Sequence, residues 1–341
     1  MSRRAIDWPA AAARLAAAIP TSRLRPEVLA WARSRPPREG WAAAFSGGAD
    51  SLCLLLLLWA HWPERRSRLR ALHFNHRLRG AASAADARFC GRVCRALGIG
   101  FSAGSWSGAR PEASAAAARS ARFAFIDREM RRRRLRALWL GHQQDDVAET
   151  QLMRLARGSG TAGLAAPRPV QDGPSGRRHL RPLLDLKKRE IAGALEAAGI
   201  PWREDASNAG PGHFRNRVRR SVLPAWIRAS ARDALAGAAL SRELLEEDDR
   251  ALEAWTDALG AATPAGDLSL ARLSGKPRAV VRRALHRWLM AQADAGDLSR
   301  AGFEVLLGAV ERGIPVRQSL GAQGFAVIRG RRLKFEKAPA D

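Results

Sequence analysis

WAAAFSGGADSLCLLLLLWAHW, residues 41–62, runs from a short apolar stretch through two glycines into a leucine-rich helical pattern. Strand, tight turn and helix in that order form a cradle for a phosphate. Gly47 and Gly48 let the backbone bend and approach an anion with no Cβ in the way. Free N–H groups at the helix start then face the anion. The hydroxyls of Ser46 and Ser51 add donors beside Ala49, and Asp50 is placed to hold Mg²⁺ next to the phosphates. The plainer alternative is a glycine turn with Ser and Asp serving as helix caps. A Walker loop is excluded because no GK[ST] is present, and no GxGxxG follows the strand. Gly158-Ser159-Gly160-Thr161-Ala162-Gly163 does match GxGxxG, but it follows a helical pattern and reads as a helix end.

Outward from this stretch, apolar runs alternate with helical patterns. Runs at 41–45, 71–75, 99–103, 137–141 and 179–184 are followed by helices over about 50–62, 83–97, 112–134, 145–157 and 187–198. Strand then helix, repeated, predicts an α/β fold: a parallel five-stranded sheet with helices on both faces. Such sheets bind ligands at the carboxyl ends of their strands. PRPVQDGPSGRR (167–178) reads as a loop inside this region, and 204–220 as its exit. Helices are expected over 221–239, 241–260, 277–293 and 299–312, then two short strands in 319–336 around a Gly-Arg turn. The division expected is therefore an N-terminal helical extension (1–38), a nucleotide-binding catalytic domain (39–220) and a mainly helical C-terminal domain (221–341) with a short β end piece. The arginines of this last domain, among them Arg278, Arg282, Arg283 and Arg287, read as tRNA contacts against the plainer reading of a solvated helical cap.

Among 341 residues, 58 Lys and Arg face 33 Asp and Glu, a net charge of +25. That excess implies an anionic partner, with nucleic acid the first candidate. Three cysteines without a CxxC pair give no disulfide framework and fit a reducing, cytoplasmic setting. The leucine run 54–58 is far shorter than the ~20 apolar residues of a membrane span. Asp7, Arg14 and two prolines interrupt the opening residues, which read as an amphipathic helix and not as a signal peptide.

Three further clusters fall at strand ends. In GHQQDDVAET (141–150), Asp145, Asp146 and Glu149 share a helix face. Acids in a first turn often serve only the dipole, but three on one face suit a metal ion or a bound ammonium. In HFNHRLR (73–79), His73 and His76 lack the further ligands zinc requires, so nucleotide contact through His73 and Asn75 is the expectation. Arg131 to Arg134 and the run Arg215-Asn216-Arg217-Val218-Arg219-Arg220 are basic clusters. Solvated surface is the plain reading of such runs; tRNA or phosphate contact is the functional reading of the second, which sits where the catalytic domain ends.

Together, AFSGGADS, HFNHRLRG, GHQQDDVAETQLMRLARGSGTAGL, RPLL followed by KKREI, and WREDASNAGPGHFRNRVRRSVLP resemble, in order, the blocks of the tRNA(Ile)-lysidine synthase family within the PP-loop ATP pyrophosphatase group. They cover roughly residues 41–224. Gln143 departs from the family's second His, and Arg122-Phe123 stands for an Arg-Tyr pair. The resemblance implies ATP-dependent ligation of free L-lysine to C2 of the wobble cytidine of the CAU-anticodon isoleucine tRNA. An adenylated cytidine would be the intermediate, with pyrophosphate and AMP released. It implies ATP and Mg²⁺ as cofactors, tRNA(Ile) as partner, loop 46–51 on the phosphates, Asp50 and Asp146 at the metal, and Asp146, Glu149 and Arg215 (or Arg219) in catalysis. Which carboxylate is base and which holds metal stays open. Two rivals stand beside it: a tRNA thiolase on the same fold, which needs reactive cysteines, and an RNA-binding protein on an inactive nucleotide fold.

Overall fold

In a computed structural model of the chain, residues 6–77, 81–107, 114–173, 176–204, 214–292, 298–321 and 324–338 are described. The chain divides into two compact units, 1–245 and 246–341.

The first unit opens with α1 (Trp8–Ala18) and α2 (Pro26–Arg33), then β1 (Trp41–Ala44) and α3 (Ala49–His61). There follow β2 (Leu69–Asn75), α4 (Ala81–Ala96), β3 (Gly100–Ser105), α5 (Ala115–Arg132) and β4 (Ala137–Trp139). After β4 come α6 (Gln144–Leu155), α7 (Thr161–Leu164), β5 (Val170–Asp172), β6 (Arg178–Leu180) and α8 (Lys188–Ala197). The sheet runs β3-β2-β1-β4-β6-β5. Five strands are parallel, at the five expected places.

The sixth strand corrects the sequence reading. β5 lies in the segment read as a loop and pairs antiparallel with β6, Val170 opposite Leu180. Flanking prolines and glycines hid a three-residue strand whose only requirement is an open edge beside β6.

Leu52 to Leu58 are each at most 2% exposed, so α3 is apolar on every side because it is buried on every side. It packs against α1 and α8. Trp31 of α2, Trp41 of β1 and Trp139 of β4 meet within one core, the last two with ring centroids 4.5 Å apart. The first 38 residues, read from sequence as an extension, thus supply part of that core.

Beyond α8 come α9 (Phe214–Arg217), a π-helical turn (Val218–Val222), α10 (Leu223–Ala229) and α11 (Ala234–Leu259). The first unit ends within α11 and not at residue 220. Leu223, Leu235 and Ala238 pack on Ala148 of α6, and Arg25, 6% exposed, is held by Glu27, Asp185 and Glu243. The break expected near 240 is also absent, because 234–259 form one continuous helix.

The second unit holds β7 (Leu268–Ser269), α12 (Leu270–Leu273), α13 (Arg278–Ala291), α14 (Arg300–Arg312), β8 (Arg317–Ser319), β9 (Gly324–Arg329) and β10 (Arg332–Lys337). The two expected end strands are β9 and β10, turning at Gly330 and Arg331. They belong to a four-stranded sheet, β7-β10-β9-β8. Leu285, Leu306, Leu307, Ile328 and Leu333 form its core.

Candidate active site

The loop between β1 and α3 is shaped by its own side chains. The hydroxyls of Ser46 and Ser51 lie 2.9 Å apart, Ser46 N donates to Ser51 Oγ at 3.2 Å, and Ser51 Oγ donates to Gly48 O at 3.0 Å. Gly47 has φ +93°, a region that favours glycine, and a Cβ there would lie 3.0 Å from Cys90 Sγ. Gly48 caps α3 with no side chain covering the helix's first N–H groups, so the end stays open to an anion. Arg203 closes one side of the loop: its N donates to Gly47 O at 2.9 Å and its Nε to Asp86 at 2.7 Å.

β4 ends close beside this helix start. A Cβ on Gly141 would come within 2.8 Å of Asp50 O, so only glycine allows that approach. It brings α6, and with it Asp146, towards Asp50. Burial first, and the Asp146 carboxylate second, push Asp50 up to about 7. Asp50 Oδ1 is buried and has no hydrogen-bond partner among the described residues.

The acids of α6 divide by role. Asp145 accepts from Lys188 N at 2.9 Å and so caps α8. Asp146 accepts from Gln143 N through Oδ2 at 3.1 Å, leaving Oδ1 for Arg215 Nη2 at 2.6 Å. Glu149, 1% exposed, takes Arg215 Nε at 2.8 Å and Arg219 Nε and Nη2 at 2.5 and 2.9 Å. Arg215 and Arg219 reach the same carboxylate across the junction of α9 with the π-helical turn, a distortion frequent at functional sites. A cavity of about 320 Å³ opens beside them, lined by Asp145, Glu149, Lys188, Arg219 and Arg228 with Leu223, Pro224 and Ile227.

His73 sits behind the loop, 4% exposed, with Nδ1 2.9 Å from Phe45 O. Burial lowers its pKa; the neutral ring then donates from Nδ1 and keeps Nε2 as an acceptor. Asn75 Oδ1 accepts from Arg77 N at 2.7 Å, so it shapes the end of β2. Leu78 to Gly80 and Asp205 to His213, parts of two motif blocks, lie outside the described residues.

Four groups at this strand end went unassigned from sequence. Arg181, 6% exposed, donates from Nε to His142 Nδ1 at 3.3 Å and from Nη1 to Arg168 O at 2.7 Å. Burial, then the charges of Arg181, Arg215, Arg122 and Arg119, hold His142 well below its ordinary pKa. Burial likewise brings Arg122 and Arg181 down to about 10. Several guanidiniums with few acids among them form a cluster whose charge suits an anion. Its signal was a departure at Arg122-Phe123 and single residues in separate segments, which no local motif joins.

The structure also bears on arginines of the second unit. Arg278 pairs with Glu304 and Glu311, Arg283 with Asp249 and Glu253, and Arg287 with Glu253 and Asp257. Cys53, Cys90 and Cys94 are all buried, and burial raises their thiols, Cys94 to about 12.

The profile of the PP-loop domain family matches residues 22–226. The tRNA(Ile)-lysidine synthase of Geobacter sulfurreducens is 37% identical over 279 residues, 79% of this chain and 58% of that protein. The enzyme of the same name from Thermobifida fusca is 35% identical over 291 residues, 82% of this chain and 86% of that protein. The chain spans less than two thirds of the Geobacter protein and of a third relative, from Solibacter usitatus, where it covers 64%. Among solved structures, the U34-tRNA thiolase NcsA from Methanococcus maripaludis with its [4Fe-4S] cluster has a TM-score of 0.53 at 19% identity. It covers 69% of this chain and 78% of that chain, a likeness of fold.

Proposed function

The chain belongs to the tRNA(Ile)-lysidine synthase family of PP-loop proteins, and from that membership we propose that it joins free L-lysine to C2 of the wobble cytidine of the CAU-anticodon isoleucine tRNA. The observation carrying this reading is the cavity beside Glu149. Its Glu149 suits an ammonium, and its bases Lys188 and Arg228 suit an α-carboxylate. Both ends of a zwitterionic basic amino acid are matched.

In the first step the cytidine O2 attacks the α-phosphorus of ATP, and pyrophosphate leaves into the loop 46–51. In the second, the lysine ε-amine attacks C2, and O2 departs with AMP. At pH 7 only roughly one lysine in 10³ carries a free amine, its pKa being about 10.4. Asp146 and Glu149 would bind the ammonium and help remove its proton. Arg215 and Arg219 would turn from these acids to the charge building on the adenylate, and His73 Nε2 would accept from the nucleotide.

Asp50 and Asp146 fit Mg²⁺: a buried orphan oxygen beside a second carboxylate, next to a phosphate cradle, is how that ion is held by one or two acids plus substrate oxygens. Bound there, it would offset charge on the phosphates. ATP, tRNA and free lysine place the reaction in the cytoplasm, and no described helix is long and apolar enough to cross a membrane.

A sulfur-transfer reading, invited by the likeness to a thiolase, finds no reactive thiol, because all three cysteines are buried and their thiols raised. Mass spectrometry of the wobble nucleoside after incubating tRNA, ATP and lysine tests the proposal. An unchanged cytidine alongside a folded, ATP-binding protein would refute it.

A further inference from the structure

At the end of the sheet opposite the phosphate loop lies a groove of about 840 Å³. Trp41, Leu69 and Ala137 are register partners at the starts of β1, β2 and β4, so the residues just before them stand side by side. They bring Arg38, Arg68, Arg134 and Arg136 to one opening, joined by Arg70 of β2, with Glu39 the only acid among the described residues lining it. Arg132 and Arg133, also in the lining, are held by Glu129. The other five have no ion pair among the described residues. Arg70 lies over Gly100, where a Cβ would come within 2.7 Å of its guanidinium, and burial and the charges of Arg133 and Arg132 lower its pKa. Arg134 holds φ +55°, unusual for a residue with a side chain.

The dipole of α5 accounts for arginines in and just after its last turn. It does not account for Arg38, Arg68 and Arg70, which arrive from two other segments. Nor is the charge spread evenly along the chain: residues 246–341 hold 15 Lys and Arg against 13 Asp and Glu, while 1–245 hold 43 against 20. Sites for small nucleotides are mainly apolar with a few placed polar groups. This groove is the reverse, since its apolar lining is Pro36, Leu69 and Leu135, the last two buried.

We propose that this groove docks RNA backbone phosphates, engaging a part of the tRNA other than the anticodon loop presented to the catalytic site. The inference rests on the reading of the substrate as a tRNA. Phosphate contacts of this kind add affinity and orientation without reading sequence.

The test is Arg38→Gln/Arg68→Gln/Arg136→Gln, three exposed positions away from the catalytic residues. Binding of a full-length CAU-anticodon tRNA transcript and of its isolated anticodon stem-loop is measured from about 50 to 200 mM salt. The full tRNA should bind about tenfold more weakly at the low-salt end, with the salt slope reduced by about 2. Stem-loop binding and pyrophosphate release should be unchanged. Unchanged affinity and slope for the full tRNA would overturn the proposal. So would loss of inorganic phosphate binding alone, which would make the groove a small-anion pocket. If the triple variant melts early, Arg68→Gln and Arg136→Gln taken singly should each reduce the slope by somewhat less than 1. Wild-type lysidine formation, measured in parallel, separates the two readings: no lysidine together with a groove-dependent salt slope would refute the enzyme activity and leave the groove standing.

Discussion

Arg219 grips Glu149 as a fork, Nε to Oε1 at 2.5 Å and Nη2 to Oε2 at 2.9 Å, with the glutamate side chain 1% exposed. Arg215 adds a third bond to the same carboxylate. Two guanidiniums therefore satisfy the acids that the proposed reaction needs for an ammonium. Binding lysine requires exchanging one cation for another within a buried set, which costs less than exposing a bare carboxylate there.

Glu149→Gln should therefore weaken lysidine formation more than tRNA-dependent ATP–pyrophosphate exchange. Hydrogen bonds to charged groups are worth about 1.5–3 kcal/mol, so roughly a tenfold to hundredfold loss is expected in the lysine step. Equal loss in both steps would put Glu149 on ATP or its metal instead.

The two glycines of the loop should separate by experiment. Gly48 has φ −74°, and a Cβ there meets nothing closer than 3.5 Å. Gly48→Val should abolish pyrophosphate release with little change in Tm, because its Cβ makes only ordinary contacts, with Ser46 Oγ and Arg203 O, while its branches reach into the space proposed for phosphate. Gly47 has φ +93° and Cys90 Sγ at 3.0 Å from a Cβ, so Gly47→Val should also lower Tm by several degrees. Full turnover in Gly48→Val would remove the loop from phosphate binding.

Asp50 makes a pH signature. Its folded pKa is raised to about 7, against ~3.9 in an unfolded chain. Unfolding then releases the proton between about pH 4 and 7, so ligand-free stability falls as pH rises through that window. Asp50→Asn escapes the loss. Its Tm should exceed wild type by roughly 5 °C at pH 8, from about 2–4 kcal/mol, and by little at pH 4. Mg²⁺ binding by wild type, which needs the ionised acid, should strengthen across the same window. A constant Tm difference at both pH values would contradict this.

Arg283 tests the second unit. It pairs with Asp249, 2% exposed, at 2.5 Å and with Glu253 at 2.6 Å. Arg283→Met should cost about 1.5–3 kcal/mol in stability by removing its charged hydrogen bonds to these acids, without changing the salt dependence of tRNA binding. A shallower salt slope at unchanged Tm would return this arginine to RNA recognition.

Much of the catalytic end was legible in sequence because its parts are local. A strand, two glycines and a helix within residues 41–62 form the loop proposed to hold phosphate, and Asp146 and Glu149 share a face through helical spacing alone. The five parallel strands followed from alternation of apolar runs. What lies between distant segments was not legible. Arg215 and Arg219 stand 66 and 70 residues from Glu149, and a tertiary turn, not spacing, closes that gap. β5 exists because β6 left an edge to pair with. Arginines of α13 that read as RNA ligands are spent on acids of α11 and α14, while Arg38, Arg68 and Arg136, unremarkable in sequence, meet at one opening. The amino acid at each position settles which charge is present. Which charges neutralise one another depends on distances of a few ångströms, because Coulomb energy falls with separation and with the solvent between, and only the folded chain sets those.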